Sequence, residues 1–332
     1  MKTALKYLAA AVVLSAIAFM LGSYQTDIFR KLLLWVTLAL SYNFLFGISG
    51  QVAFSHFSFY GIGAYTIVIL VTQLGLPLLV AVPLTVVVCT LLALLVAVPA
   101  TRLEGFYLAL ATLAFAQLFI VVLNEGGSVT GGNGGLANYR IPEVLGVRVS
   151  GPWYTVVIVL LMLGTLASLY RLDRSWFGRA CRAVRDNGEA AAAMGVNVRR
   201  TKVLAYAITS AMAGVAGMVY AFVDNTVNPQ IFGLENAFLL LFMVIVGGSG
   251  HHAGAILGAV LLYIMPFVLS PLIGHHHALV FGVFMVLAVM FQPKGLIGLW
   301  LRWWPCLRPA PRPASPRAPA TVAADQAPKG VA

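Results

Sequence analysis

The chain alternates long apolar runs with short polar breaks. The runs fall near 7–22, 32–47, 57–76, 78–100, 106–123, 152–170, 203–223, 237–248, 253–273 and 278–292. Most approach the roughly 20 residues an α-helix needs to cross a bilayer. Backbone groups in lipid must be bonded within their own segment, which selects helices over open strands. The pattern predicts an all-α, polytopic integral membrane protein with about ten transmembrane helices. Eight is the lower bound, because several runs are short or interrupted by glycine. Lys2 and Lys6 followed by the run from Tyr7 to Gly22 also fit a signal peptide. No small-x-small cleavage site precedes Tyr24, and the run is read as an uncleaved first helix.

Composition removes the soluble classes. Hydrophobic residues make up 61% of the 332 and charged ones 9%, against roughly 45–50% and about 25% in a soluble domain. The net charge of +11 reads as topology rather than nucleic-acid binding. With the N-terminus in the cytoplasm and each run crossing once, the cytoplasmic pieces carry 2, 1, 8 and 6 basic residues and the external pieces 4. Ten passes thus satisfy the positive-inside rule with both termini cytoplasmic. Cys89, Cys181 and Cys306 are too few and too scattered for a disulfide framework or a metal site. The chain divides into a transmembrane domain, 1–305, and a Pro/Ala-rich tail, 306–332, predicted to be disordered. The tail's arginines are available to anionic membrane lipid.

The placement of charge narrows the function. Every Asp and Glu falls in a predicted loop or helix end, and no Lys or Arg lies within a predicted span. Proton relays and ion-coupled carriers bury such groups, and acid–base catalysis in the membrane needs them. None of the six lysines follows a glycine, so the chain has no P-loop. Neither an enzyme nor a cofactor is expected.

Three stretches stand out. The loop at 171–202 carries eight basic and three acidic residues. Asp186 and Glu189 are spaced as a capping box, Ala190 and Ala191 open an alanine run, and Gly195 suits a helix C-terminus. A helix over about 187–194 follows, either docking in a groove of another protein or lying on the lipid surface. The stretch 47–56 places Gly47, Gly50, Gln51, Ser55 and His56 between two apolar runs. It reads as a lining of a translocation path or as a packed helix–helix turn, with His56 a hydrogen-bonded packing residue. Gly126, Gly127, Gly131, Gly132, Gly134 and Gly135 surround Asn133 in a predicted external loop, which reads as a gate, a docking surface or a plain connector. Gly214, Gly217, Gly254 and Gly258 have the spacing of close helix packing. His275, His276 and His277 form a tract without a second-shell partner in sequence, and no metal is assigned to them.

The order of residues carries a family resemblance. Glu189-Ala190-Ala191, with Gly195 four residues on, resembles the EAA coupling motif of ABC importer permeases. GISGQVAFSHFSFYGIGAYT at 47–66 resembles the signature of branched-chain amino acid permeases. TLAFAQLFIVVLNEGGSVTGGNGGL at 112–136, the stretch 186–217, GGSGHHAGAILGA at 247–259 and FQPKGLIGL at 291–299 are similar to the LivM-type subunit, in the same order. Ser55 stands where the family usually has Gly, Ala255 where Pro is common, and His251 and His252 where residues are usually small.

The resemblance implies a type II ABC importer-like permease in a bacterial inner membrane. It implies a second homologous permease subunit, two ATP-binding subunits that hydrolyse the ATP, and a periplasmic substrate-binding protein. Asp186, Glu189, Ala190, Ala191 and Gly195 would couple to the ATPase. Gly50, Gln51, Ser55, His56, Gly131, Gly132 and Asn133 would belong to the path. The solute would be a branched-chain or other hydrophobic amino acid. A permease for urea or short amides, and a stand-alone facilitator for a neutral solute, fit the uncharged spans too. A membrane enzyme or respiratory subunit would need more ionisable groups than His56.

Overall fold

The computed structural model describes residues 22–103, 105–137, 139 and 152–273, with 14–15, 282–283 and 295–296. Apart from those short stretches, the runs at 7–22 and 278–292 lie outside the described residues. So do the His275–His277 tract and the tail at 306–332.

The described chain is helical. α1 (Ser23–Asn43) runs on into a π-turn at Phe44–Ile48. It is followed by α2 (His56–Thr72), α3 (Leu78–Ala100), α4 (Phe106–Glu125) and α5 (Pro152–Arg174). Two short helices come next, α6 (Trp176–Asp186) and α7 (Gly188–Ala193). The order closes with α8 (Val198–Asp224), α9 (Leu234–Gly247) and α10 (His252–Ile273). A two-residue antiparallel ladder pairs β1 (Leu136–Ala137) with β2 (Thr226–Val227). Among the described residues, α1, α3, α4, α5, α8 and α9 are long and apolar enough to cross a membrane, α1 with its π-turn and α9 with the turn before it, while α2 and α10 are shorter apolar helices. The protein is an all-α integral membrane protein.

The first described span starts earlier than its apolar run. α1 begins at Ser23 and takes Arg30 and Lys31 into the helix. Its 26 residues including the π-turn span ~39 Å, more than the hydrocarbon core of about 30 Å, so its first turns stand at headgroup level. There the charges are paired. Arg30 meets Asp27 at 2.9 Å and the Thr155 hydroxyl at 2.9 Å, and Lys31 meets Asp224 at 2.6 Å.

Packing follows the small residues. Lipid tails are as apolar as leucine, so helices associate through close fit rather than hydrophobic burial. On α8, a Cβ at Gly217 would overlap the Tyr60 carbonyl of α2, and one at Gly63 would overlap the Gly214 carbonyl. Gly247 of α9 and Gly254 and Gly258 of α10 make a second backbone-to-backbone seam. α1 is the central element, with 83% of its apolar window buried, whereas the windows of α3 and α4 are buried by only 22% and 28%. Those two present broad apolar faces outward, including Leu91 and Leu95 on α3 and Leu118 and Val121 on α4.

One end of the bundle gathers the turns at 49–55, 101–105, 175–197 and 248–251, and with them every described basic residue except Arg30 and Lys31. Asp173, Asp186 and Glu189 lie there too, and Asp27, Glu125, Asp224 and Glu235 at the opposite end. Gly217→Val is expected to prevent close approach of α2 and α8, because the obstructing atoms are backbone. Gly164→Val, where nothing lies within 4 Å, is expected to be tolerated. Monodispersity and thermal melting in detergent distinguish the two.

Candidate functional site

The chemistry at the basic end starts from a broken backbone. The π-turn carries α1 into its last residues, where the Ser49 N–H reaches Phe44 O at 2.9 Å. The Gln51 N–H, which an α-helix would give to Gly47, goes to Leu45 O at 3.0 Å. Gly47 O instead accepts from the Arg185 guanidinium at the end of α6. Gly50 has φ +74°, and a Cβ there would strike the Arg185 stem. Asp186 holds the same guanidinium at 2.9 Å and 3.2 Å. The Gln51 carboxamide donates to Ser49 Oγ at 2.7 Å and to the Lys202 carbonyl of α8 at 3.2 Å. Asn43 Oδ1 accepts from the Gly250 N–H in the α9–α10 turn at 2.8 Å. This one break is therefore tied to α6, α8 and the α9–α10 turn.

α6 was not legible as a helix in the charged loop. Ser175 caps it, accepting from the Gly178 N–H at 3.3 Å. Arg182 folds back on the Asp173 carboxylate and donates to its carbonyl at 2.9 Å. Ala180, Cys181 and Val184 are buried, and Phe177 lies 6.4 Å from the Phe44 ring. Burial pushes the Cys181 thiol up to about 12, so it stays protonated and unreactive at neutral pH. A serine followed by apolar positions at 177, 181 and 184 with arginines between them was the available signal.

α7 forms within the predicted segment, with a different cap. Asp186 is the last residue of α6 and is engaged with Arg185. Asn187 caps α7, accepting from the Ala190 N–H at 3.0 Å. The capping box expected of Asp186 and Glu189 is thus displaced by one residue, because the carboxylate has an arginine to satisfy. Glu189 lies in the first turn and is exposed. Gly195 takes φ +84° and closes the helix with Gly195 N to Ala192 O at 2.9 Å and Val196 N to Ala191 O at 3.0 Å. Ala191 faces inward, while Ala190, Ala192 and Ala193 face out. Beside them Met194 is 85% exposed.

The residues expected along the path fall into two clusters that the fold does not bring together. Gln51, Ser55 and His56 are fully buried at the basic end. Ser55 Oγ bonds Tyr206 OH, and His56 Nε2 lies 2.9 Å from Ser41 Oγ. Ser41 gives its own proton to Leu38 O at 2.9 Å, so His56 is the donor in that pair, and its Nδ1 has no partner. These side chains lock α1, α2 and α8 together. Gly131, Gly132 and Asn133 lie at the opposite end, in a turn where Thr130 Oγ1 donates to Leu123 O at 2.6 Å. α4 spans between the clusters. Its Thr112 accepts from the Phe54 N–H at 3.1 Å near one end, and its Leu123 serves the glycine turn at the other. On the outward face of α4, Gln117 is exposed at mid-helix, and among the described residues no group bonds it.

Residues 24–290 match the family described as "Branched-chain amino acid transport system / permease component". The chain belongs to this permease family. It is 30% identical to the high-affinity branched-chain amino acid transport system permease protein LivM of Salmonella typhimurium, over 89% of this chain and 75% of that protein. It is 30% identical to the LivM protein of Escherichia coli over 88% and 74%. The autoinducer 2 import system permease protein LsrC of Salmonella paratyphi B is 31% identical over 48% of this chain and 46% of its own length. No solved structure gives a significant match.

Within this permease, the reassigned cap is open to test. Asn187→Ala removes the side-chain acceptor of α7 and is expected to destabilise that helix by about 0.5–2 kcal/mol. Asp186→Ala leaves the cap in place. Amide exchange across 188–194 should quicken in the first variant and hold in the second.

Proposed function

We propose that this chain is the LivM-type permease subunit of an ABC importer for branched-chain and related hydrophobic amino acids. It forms half of the translocation path with a second, homologous permease. Two ATPase subunits act on its cytoplasmic end, and a periplasmic binding protein delivers solute to the other. The crowding of basic residues at the α6–α7 end supports placing that end in the cytoplasm of a bacterial inner membrane.

The observation that carries the coupling role is the pairing of an outward alanine surface with an inward clasp. Ala190, Ala192 and Ala193 leave room for a facing groove, and Met194 offers one long, adaptable apolar anchor. Glu189 at the open edge is available to a basic group of the ATPase. Gly195 turns the chain back toward α8. Directly behind this surface, Arg185 grips the carbonyl at the α1 break, with Asp186 fixing the guanidinium.

Closure of the ATPase dimer on ATP displaces α7. The displacement reaches α1 and α2 through Arg185 and Gly50, and α8 through Gln51 and the chain after Gly195. Ser55, His56 and their partners keep the three spans moving as one body, so the shift alters which end of the path is open. Gly131, Gly132 and Asn133 form its outer rim, where the binding protein releases solute.

Met194→Asp is expected to insert and fold normally, since the side chain is in water. It should lose co-purification with the ATPase subunits and binding-protein-dependent uptake of leucine. Wild-type uptake by this variant would rule out docking at α7. In a background without the native cysteines, Ala192→Cys should label from the cytoplasmic side alone. Labelling from outside would invert the orientation.

A further inference from the structure

The outward face of α4 holds a group that hydrocarbon cannot serve. Leu110, Ala114, Gln117 and Val121 follow one another at helical spacing along that face, and all are exposed. Gln117 sits ~17 Å along a helix of ~30 Å, at the depth of the bilayer centre. Among the described residues its carboxamide has no bonding partner. Among the described residues, no other carboxamide or charged side chain is exposed in the central turns of a spanning helix. Polar groups at such depth face a water-filled cavity or another protein, not lipid.

The surroundings favour water. Asn124, seven residues on, lies on the same side of the helix, and its Oδ1 also has no partner. Beyond it the glycine turn at 131–135 opens to the outer end of the protein. α3, by contrast, exposes an unbroken apolar face with Leu91 at its centre, as a lipid-facing helix should. We infer that the Gln117 face of α4 lines the aqueous path, and that the Gln117 carboxamide hydrogen-bonds the ammonium or carboxylate of the amino acid as it passes the membrane centre. A carboxamide suits this task because it offers both donor and acceptor without a fixed charge to trap the solute. The assignment rests on the proposed importer function for its solute, while the exposure of Gln117 to water does not.

The test uses the whole complex in membrane vesicles, with Cys89, Cys181 and Cys306 replaced by serine or alanine. A cysteine in water ionises and reacts with a charged methanethiosulfonate, while one in lipid does not. Gln117→Cys should react, and leucine with its binding protein should slow the reaction. Leu91→Cys on α3 should stay unlabelled. Gln117→Leu, an apolar change that favours insertion, should assemble with its partners while uptake falls about tenfold. Gln117→Asn should recover part of the uptake. The inference is overturned if Gln117→Cys is as inert as Leu91→Cys, as it would be against lipid or a dry subunit interface. It is equally overturned if Gln117→Leu transports like the wild type. The labelling arm needs no transported solute, so a wrong substrate assignment, which would show as no uptake by the wild type, leaves that arm unchanged.

Discussion

A carbonyl freed inside a membrane protein must meet a donor, because hydrocarbon offers none. Here that carbonyl is Gly47 O, and the donor is Arg185. The π-turn diverts the Gln51 N–H to Leu45 and leaves Gly47 unserved by its own helix. A hydrogen bond from a charged donor contributes about 1.5–3 kcal/mol, and an orphaned buried carbonyl costs a similar amount. The broken end of α1 is therefore stable only with α6 in place. Gly50 extends the same dependence, since its left-handed backbone clears the path of the arginine stem.

This constraint explains which parts of the fold the amino acids reveal on inspection. Runs such as 78–100 and 106–123 stand out because a helix that crosses a membrane is apolar over most of its length, and they appear as α3 and α4 nearly to the residue. The start of α1 was hidden because Asp27, Thr155 and Asp224 neutralise Arg30 and Lys31, so polar residues that look like a loop continue the helix. α6 was hidden because its arginines serve carbonyls and carboxylates from other segments, contacts that no local pattern encodes. The seams were legible, because Gly214, Gly217, Gly254 and Gly258 have one common use at that spacing. The site was legible only as pieces. The polar stretch at 47–56 could be recognised as a break in a helix. Whether it faced a path or packed as a turn depended on Tyr206 and Lys202, about 150 residues away.

Polar groups at membrane depth in this bundle divide by what they bond. Ser55, His56, Gln51 and Asn43 each bond across helices, and each bond adds a constraint between spans. Gln117 has no such bond and lies on one of the least buried helices. Moving an unbonded amide from water to an alkane costs roughly 4–8 kcal/mol, comparable with the whole net stability of many domains. A folded chain can hold such a residue outward at mid-membrane only where something other than lipid meets it.

The same division sets what the proposed push on α7 can move. α2 and α8 touch backbone to backbone at Gly63, Gly214 and Gly217, and a contact with no side chain between its parts has little room to bend. Asn43 ties the α9–α10 turn to the same break, and the Gly247–Gly254 seam makes α9 and α10 a second stiff pair. In the proposed mechanism a force entering through α7 meets a short, hydrogen-bonded joint and then two stiff pairs of spans. α4 is exposed along most of its length and, among the described residues, one hydrogen bond, from the Phe54 N–H to Thr112, joins it to the break. The compliant boundary of the proposed mechanism therefore lies between α4 and the stiff body, where a change at the α7 end would alter the width of the path without disturbing the core that carries the force.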